Sequence, residues 1–146
     1  ATRRADTVFH PYHDAIELTI AGIRRKGCAP AVLAIHSFTP KMDGTIRPWH
    51  ISVLWGSDPR IPKPLLDSLG GQVGLIVGDN VPYSGRGQFG HTIEVHASSE
   101  GLPNAMIEIR ADLIRDDAGI TRISDLLGSS LEFILADPDL YRAEFY

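Results

Sequence analysis

The stretch that most constrains the fold is residues 31–40, where five apolar residues are followed by a histidine. Glycine and proline precede the apolar residues and two of the five are β-branched, a pattern typical of a buried strand. We predict a strand over residues 31–35 with His36 at its end. Because strand carboxyl ends face the ligand crevice of an open α/β sheet, His36 is a candidate metal ligand or general base. A histidine that merely caps a strand edge is the simpler alternative.

A second apolar run, residues 105–107, leads into Glu108, Ile109 and Arg110. A carboxylate in a buried strand is costly unless paired, and desolvation raises its pKa toward that of a useful general base. Residues two apart on a strand share a face. Glu108 is therefore either a catalytic carboxylate or a structural ion-pair partner of Arg110 or another arginine, and the residue pattern favours neither.

The remaining pattern alternates helices with short strands. Apolar spacing and Gly/Pro punctuation predict helices over residues 6–26, 62–69, 92–99 and 120–135, and strands over 31–35, 50–55, 73–77 and 105–109. Residues 37–48 carry turn signals and are predicted to form a loop. The expected fold is a single α/β domain over residues 1–146, a layered mixed sheet flanked by helices.

Composition excludes several classes of function. The 146 residues are 43% hydrophobic and 22% charged, as in an ordinary globular protein. A net charge of −4 gives no electrostatic footprint for nucleic acid, and no apolar run approaches a membrane span. Cys28 is the single cysteine, which excludes an internal disulfide and makes the cytoplasm the simplest location. Association into a homo-oligomer is left open.

Further polar residues in loops and at strand ends are candidates for a binding site. Arg47, Arg86 and Arg110 could each clamp a substrate carboxylate through a bidentate guanidinium, although a loop arginine is more often simply solvated. The glycine-rich segment 78–90 matches neither nucleotide-binding fingerprint. The histidines other than His36 lack the close spacing of a zinc motif; they are His10, His13, His50, His91 and His96.

Five blocks of sequence occur in an order that a known family shares. They are Pro-Tyr-His at 11–13, Ile-His-Ser-Phe-Thr-Pro at 35–40, Arg-Pro-Trp-His-Ile at 47–51, Gly-Asp-Asn with Pro-Tyr-Ser over 78–84, and Gly-Leu-Pro-Asn through Ile-Glu-Ile-Arg to Asp-Leu-Ile over 101–114. Together these blocks, from about residue 9 to residue 114, resemble the N-formylglutamate amidohydrolase family.

The resemblance implies a fold similar to that of the zinc carboxypeptidases and a zinc cofactor. The implied reaction is hydrolysis of the formamide of N-formylglutamate, or of a related N-acyl amino acid, to formate and the free amino acid, as in histidine degradation. It implies that His36 is a zinc ligand and that Glu108 is the general base. We further expect the small-molecule substrate to be held by Arg47, Asn80, Tyr83, Arg86 and Arg110.

The resemblance covers only the C-terminal portion of the family's domain. The other two zinc ligands of the family lie in an earlier segment that has no counterpart in these 146 residues. A competing expectation is therefore a truncated or non-catalytic family member that binds a carboxylated ligand or a partner without hydrolysing it.

Overall fold

The computed structural model describes residues 2–86 and 91–146 and contains the expected mixture of helices and strands. The helices are α1 (Thr2–Arg4), α2 (His10–Arg24), α3 (Pro62–Gly70), α4 (His91–His96) and α5 (Asp117–Leu135), with a π-helix at Ala5–Phe9 and 3-10 helices at Ser98–Glu100, Ala111–Ile114 and Pro138–Leu140. The strands are β1 (Val32–Phe38), β2 (Lys41–Met42), β3 (Thr45–Ile46), β4 (Ile51–Leu54), β5 (Val77–Asp79) and β6 (Asn104–Arg110).

Four of the strands form a mixed sheet in the order β1-β6-β4-β5. β6 pairs in parallel with β1 and antiparallel with β4, and β4 pairs in parallel with β5. The segment predicted as a loop contains a small hairpin formed by β2 and β3. Its turn residues, Asp43 and Gly44, both have positive φ, as a tight hairpin turn requires.

The hydrophobic core lies between one face of the sheet and the helices α3 and α5. Side chains of β4 and β6 alternate across the sheet, so that every second one enters this core. Their helical partners recur at spacings of about four residues, which places them on one helix face. The buried set is Ile51, Val53, Ile107 and Ile109 from the sheet, with Leu65, Leu69, Ile123 and Leu127 from the helices.

Three further details of the fold differ from the prediction. Strand β1 continues to Phe38, so His36 lies inside the strand rather than at its end. The strand predicted over residues 73–77 is wrong. Val73 is fully exposed, Gly74 has a φ of +79° that breaks the extended backbone, and β5 begins only at Val77. Helix α5 begins at Asp117, because the Asp116 side chain caps it by accepting a hydrogen bond from the Gly119 N–H.

Across residues 2–86 and 91–146, no helix combines the length and the apolar character needed to cross a membrane.

Candidate functional site

The pairing of β1 with β6 brings His36 and Glu108 together. The two residues are direct partners in the parallel register, and His36 Nδ1 lies 3.8 Å from Glu108 Oε1. The His36 side chain is 54% exposed, whereas that of Glu108 is 7% exposed. The register therefore places a solvent-facing imidazole beside a buried carboxylate.

The environment of Glu108 favours proton uptake. Burial raises the pKa of its carboxyl group, and the nearby His36 and Arg47 oppose that rise only in part. Among the described residues, Glu108 Oε2 has no hydrogen-bond partner although it is buried. A carboxylate with a raised pKa and an unused oxygen has the properties of a general base.

Arg47, which directly follows β3, is buried close to this carboxylate. Its Nη1 atom donates to the Tyr83 hydroxyl at 3.1 Å and to Thr39 Oγ1 at 3.5 Å, and its Cζ atom lies 5.1 Å from the centre of the Tyr83 ring. Within the described residues, Arg47 makes no ion pair with a carboxylate. Because a buried cation is costly without a counter-charge, this guanidinium is suited to an anionic ligand.

Arg110 has its donors engaged within the chain. Its Nε and Nη2 atoms donate to the two carboxylate oxygens of Asp112, at 2.7 and 3.2 Å, and Nη1 donates to the Pro48 carbonyl at 3.0 Å. The structural partner of Arg110 is therefore Asp112 rather than Glu108. This geometry ties the end of β6 to the segment before β4, and the role of Arg110 toward substrate stays a prediction.

Asn80 organises the loop that follows β5. Its Oδ1 atom accepts from the Trp55 N–H at 3.0 Å and from the Gly85 N–H at 2.8 Å, and its φ of 54° lies in the left-handed region. A Cβ atom at position 85 would lie 2.5 Å from the Trp55 nitrogen, so the loop can close only on glycine. A direct contact of Asn80 with substrate stays a prediction.

Arg86 lies at the other end of this loop. Its Cζ atom is 5.1 Å from the centre of the Trp55 ring, and both residues line a cavity of about 440 Å³ together with Glu94 and Met106. The glycine-rich segment singled out in the sequence continues into residues 87–90, which lie outside the described residues.

The remaining histidines form contacts of two kinds. His50 Nδ1 accepts a hydrogen bond from the Ile76 N–H at 2.8 Å, which places His50 in a structural role. His13 on α2 and His96 on α4 lie with Nδ1 and Nε2 2.7 Å apart, and the His91 ring is 5.0 Å from the His13 ring. The sequence gives no local signal for this pair, because the partners are 83 residues apart.

The stability of the contact between α2 and α4 should depend on pH. The pKa of His13 is lowered, first by burial and then by His96 and His91, so the folded chain binds a proton at His13 less readily than the unfolded chain does. The contribution of His13 to stability is therefore present above about pH 6.5 and is lost as the pH falls below that value. We expect the Tm to fall between pH 7.5 and 5.5, and His13→Asn to reduce that fall. The same change at exposed His10 is the control, and an unchanged slope in His13→Asn would contradict the assignment.

The described residues do not by themselves form a metal site. A catalytic zinc ion commonly takes three protein ligands, but residues 2–86 and 91–146 contain no group of three histidine, cysteine, aspartate or glutamate side chains placed to hold a metal. His36 is the candidate ligand that lies beside Glu108. The zinc set that the resemblance implies is therefore not met by the described residues.

Comparisons with known proteins match this fold and this segment of sequence. The family model described as N-formylglutamate amidohydrolase matches residues 1–115. A crystal structure of a gene product from Agrobacterium tumefaciens is 34% identical with a TM-score of 0.82. The crystal structure of N-formylglutamate amidohydrolase from Ralstonia eutropha JMP134 is 22% identical with a TM-score of 0.67. Each alignment covers 92% of this chain and 54% of the solved chain, so this chain spans about half of either structure. No curated protein sequence matches the chain.

Proposed function

Because the chain belongs to the N-formylglutamate amidohydrolase family, we propose that it acts in the hydrolysis of an N-formyl or related N-acyl amino acid, with N-formylglutamate as the first substrate to test. The observation that carries this proposal is the pair formed by His36 and Glu108, in register on neighbouring strands with Nδ1 and Oε1 3.8 Å apart. The pair places a buried proton acceptor next to an exposed imidazole. Amide hydrolysis requires such an acceptor, since water is a weak nucleophile until it loses a proton.

Glu108 would take a proton from the water molecule that attacks the formyl carbon. It would then deliver that proton to the nitrogen as the carbon–nitrogen bond breaks, which releases formate and the free amino acid. The raised pKa of the Glu108 carboxyl group supports both transfers, because catalysis by a general acid and base is most effective when the pKa lies near the working pH.

Zinc, the cofactor of the proposal, would polarise the formyl oxygen and lower the pKa of bound water. In this chain His36 is its candidate ligand, and the described residues supply too few further ligands. The proton transfers above are therefore derived from Glu108 alone. Further metal ligands would have to come from outside the described residues.

Arg47 and Tyr83 would hold a carboxylate of the substrate. Arg47 is buried and hydrogen-bonded to the Tyr83 hydroxyl, so its position is fixed, and it acts on Glu108 electrostatically. Arg86, which lines the same cavity as Trp55, would contact a second carboxylate. A dicarboxylate substrate such as N-formylglutamate matches two separated cations better than a neutral amide does.

Replacing Arg47 tests this arrangement. We expect Arg47→Leu to lower kcat/KM for N-formylglutamate by about 30-fold or more, mainly by raising KM, because the carboxylate would lose a charged hydrogen-bonding partner. The measurement is formate release at steady state, with Arg122→Leu, an exposed arginine on α5, as the matched control. An unchanged KM in Arg47→Leu would remove Arg47 from the binding site.

A second candidate function is binding of a carboxylated ligand without hydrolysis. It is favoured because the described residues contain no group of three side chains that could hold a metal ion. Titration calorimetry with N-formylglutamate, combined with a formate assay with and without added zinc, separates the two candidates. Binding that depends on Arg47 with no formate released supports the second, and multiple turnovers per chain support the first.

A further inference from the structure

A row of four residues crosses the whole sheet on the face that bears Glu108. In the strand register His36 pairs with Glu108, Glu108 pairs with Ser52, and Ser52 pairs with Gly78. Residues paired across neighbouring strands point to the same face, so the Ser52 hydroxyl and the Glu108 carboxylate are neighbours on β4 and β6. The proposed function does not use Ser52.

Ser52 is buried, and no described residue forms a hydrogen bond with its hydroxyl group. The residue is 0% exposed, and its Oγ atom and Glu108 Oε2 are the two buried side-chain polar atoms that lack a partner among the described residues. Buried hydroxyl and carboxylate groups are almost always hydrogen-bonded, directly or through an ordered water molecule. One of these atoms belongs to a donor group and the other is an acceptor, so each can satisfy the other.

Gly78 provides the room that Ser52 needs. A Cβ atom at position 78 would lie 2.3 Å from Ser52 Oγ and 3.1 Å from Ser52 Cβ, so any other residue there would displace the serine side chain. In this structure the Ser52 hydroxyl group therefore lies over β5. Because β5 and β6 lie on opposite sides of β4, this orientation keeps the hydroxyl group away from Glu108. Rotation of the Ser52 side chain to another staggered position would move the hydroxyl group away from β5, and either that rotation or a bridging water molecule would connect the two groups.

From these contacts we infer that Ser52 is a positioning residue for Glu108, with its hydroxyl group donating a hydrogen bond to Oε2 either directly or through one shared water molecule. The bond would anchor Oε2 and leave Oε1 facing His36. The role in turnover rests on the proposed function, whereas the hydrogen bond itself does not.

A high-resolution crystal structure of the protein and of Ser52→Ala tests the hydrogen bond. We expect the hydroxyl group, or one water molecule bound to it, within about 3.2 Å of Glu108 Oε2, and a Glu108 side chain in more than one conformation in Ser52→Ala. A Glu108 Oε2 atom held by a different group, with the Ser52 hydroxyl bonded elsewhere, would overturn the inference.

Kinetics test the consequence for turnover. Ser52→Ala should lower kcat for N-formylglutamate by about 10-fold while KM changes little, since a displaced base affects the chemical step more than binding. Ser52→Thr keeps the hydroxyl group and should restore most of kcat.

Ser130→Ala, which removes a buried hydroxyl group bonded to Ser68, is the matched control. Unchanged kcat in Ser52→Ala would overturn the positioning role. If the unmodified protein shows no turnover, the proposed function fails and the crystal structures alone decide the inference.

Discussion

Glu108→Gln is expected to lower kcat for N-formylglutamate by about 10²–10⁴-fold, the usual contribution of a general acid–base group. The amide keeps the size and shape of the side chain but cannot accept the proton of the attacking water. KM should change little, because Arg47 and Tyr83 remain in place. Glu132→Gln, an exposed carboxylate on α5, is the matched control. Near-normal turnover in Glu108→Gln would remove Glu108 from the reaction.

The same substitution should stabilise the fold at neutral pH. Since burial raises the pKa of Glu108, the folded chain holds its proton more tightly than the unfolded chain does. The ionised carboxylate is therefore destabilising above its folded pKa, and this penalty disappears below the unfolded value of about 4.3. The Tm of Glu108→Gln should exceed that of the unmodified protein at pH 7.5 and approach it at pH 4. A lower Tm at pH 7.5 would contradict the sign of the shift.

Arg60→Met is expected to lower the free energy of unfolding by about 3–5 kcal/mol, as when one partner of a buried ion pair is removed. The Arg60 guanidinium contacts both carboxylate oxygens of Asp58, with the shortest distance 2.6 Å. It also donates to three backbone carbonyls, those of Gly101, Leu140 and Arg142. The substitution would leave the buried Asp58 carboxylate without a counter-charge and release the C-terminal segment.

Urea denaturation of four proteins measures this effect: the unmodified chain, Arg60→Met, Asp58→Asn and the double variant. The double variant should be less destabilised than the sum of the two single variants, because removing both charges leaves none unpaired. Arg142→Met, on a largely exposed arginine, is the control for loss of an arginine in the same segment. Additive effects would show that the pair does not act as a unit.

The parts of the fold that depend on local pattern were predictable from the sequence. Helices α2, α3 and α5 follow the 3.6-residue spacing of their apolar residues, and β1 and β6 follow from short apolar runs. The strand predicted over residues 73–77 was wrong because apolar character alone does not specify an extended backbone. Gly74 turns the chain there, and β5 pairs with β4 only from Val77 onward.

The candidate site was predictable in its residues but not in its partners. The apolar runs that precede His36 and Glu108 singled out both residues as candidates, but their pairing across β1 and β6 depends on the strand register. The position of His36 inside β1 depends on how far β6 extends beside it, which no local pattern reports. The pairing of Arg110 with Asp112 and of His13 with His96 likewise depends on tertiary contacts. Ser52 carried no sequence signal at all, since a single serine in a short strand is unremarkable until its register is known.

Helix α2 is attached to the rest of the chain by fewer buried contacts than the central strands are. No residue of α2 is buried, and its side-chain hydrogen bonds to distant parts of the chain are those of His13 with His96 and of Arg24 with Glu100 among the described residues. The exposed Arg24–Glu100 pair contributes little to stability, whereas β6 is buried along almost its full length. Segments with few buried apolar contacts open at lower free energy than the core does. We therefore expect α2 to open at a lower free energy than the sheet, α3 and α5.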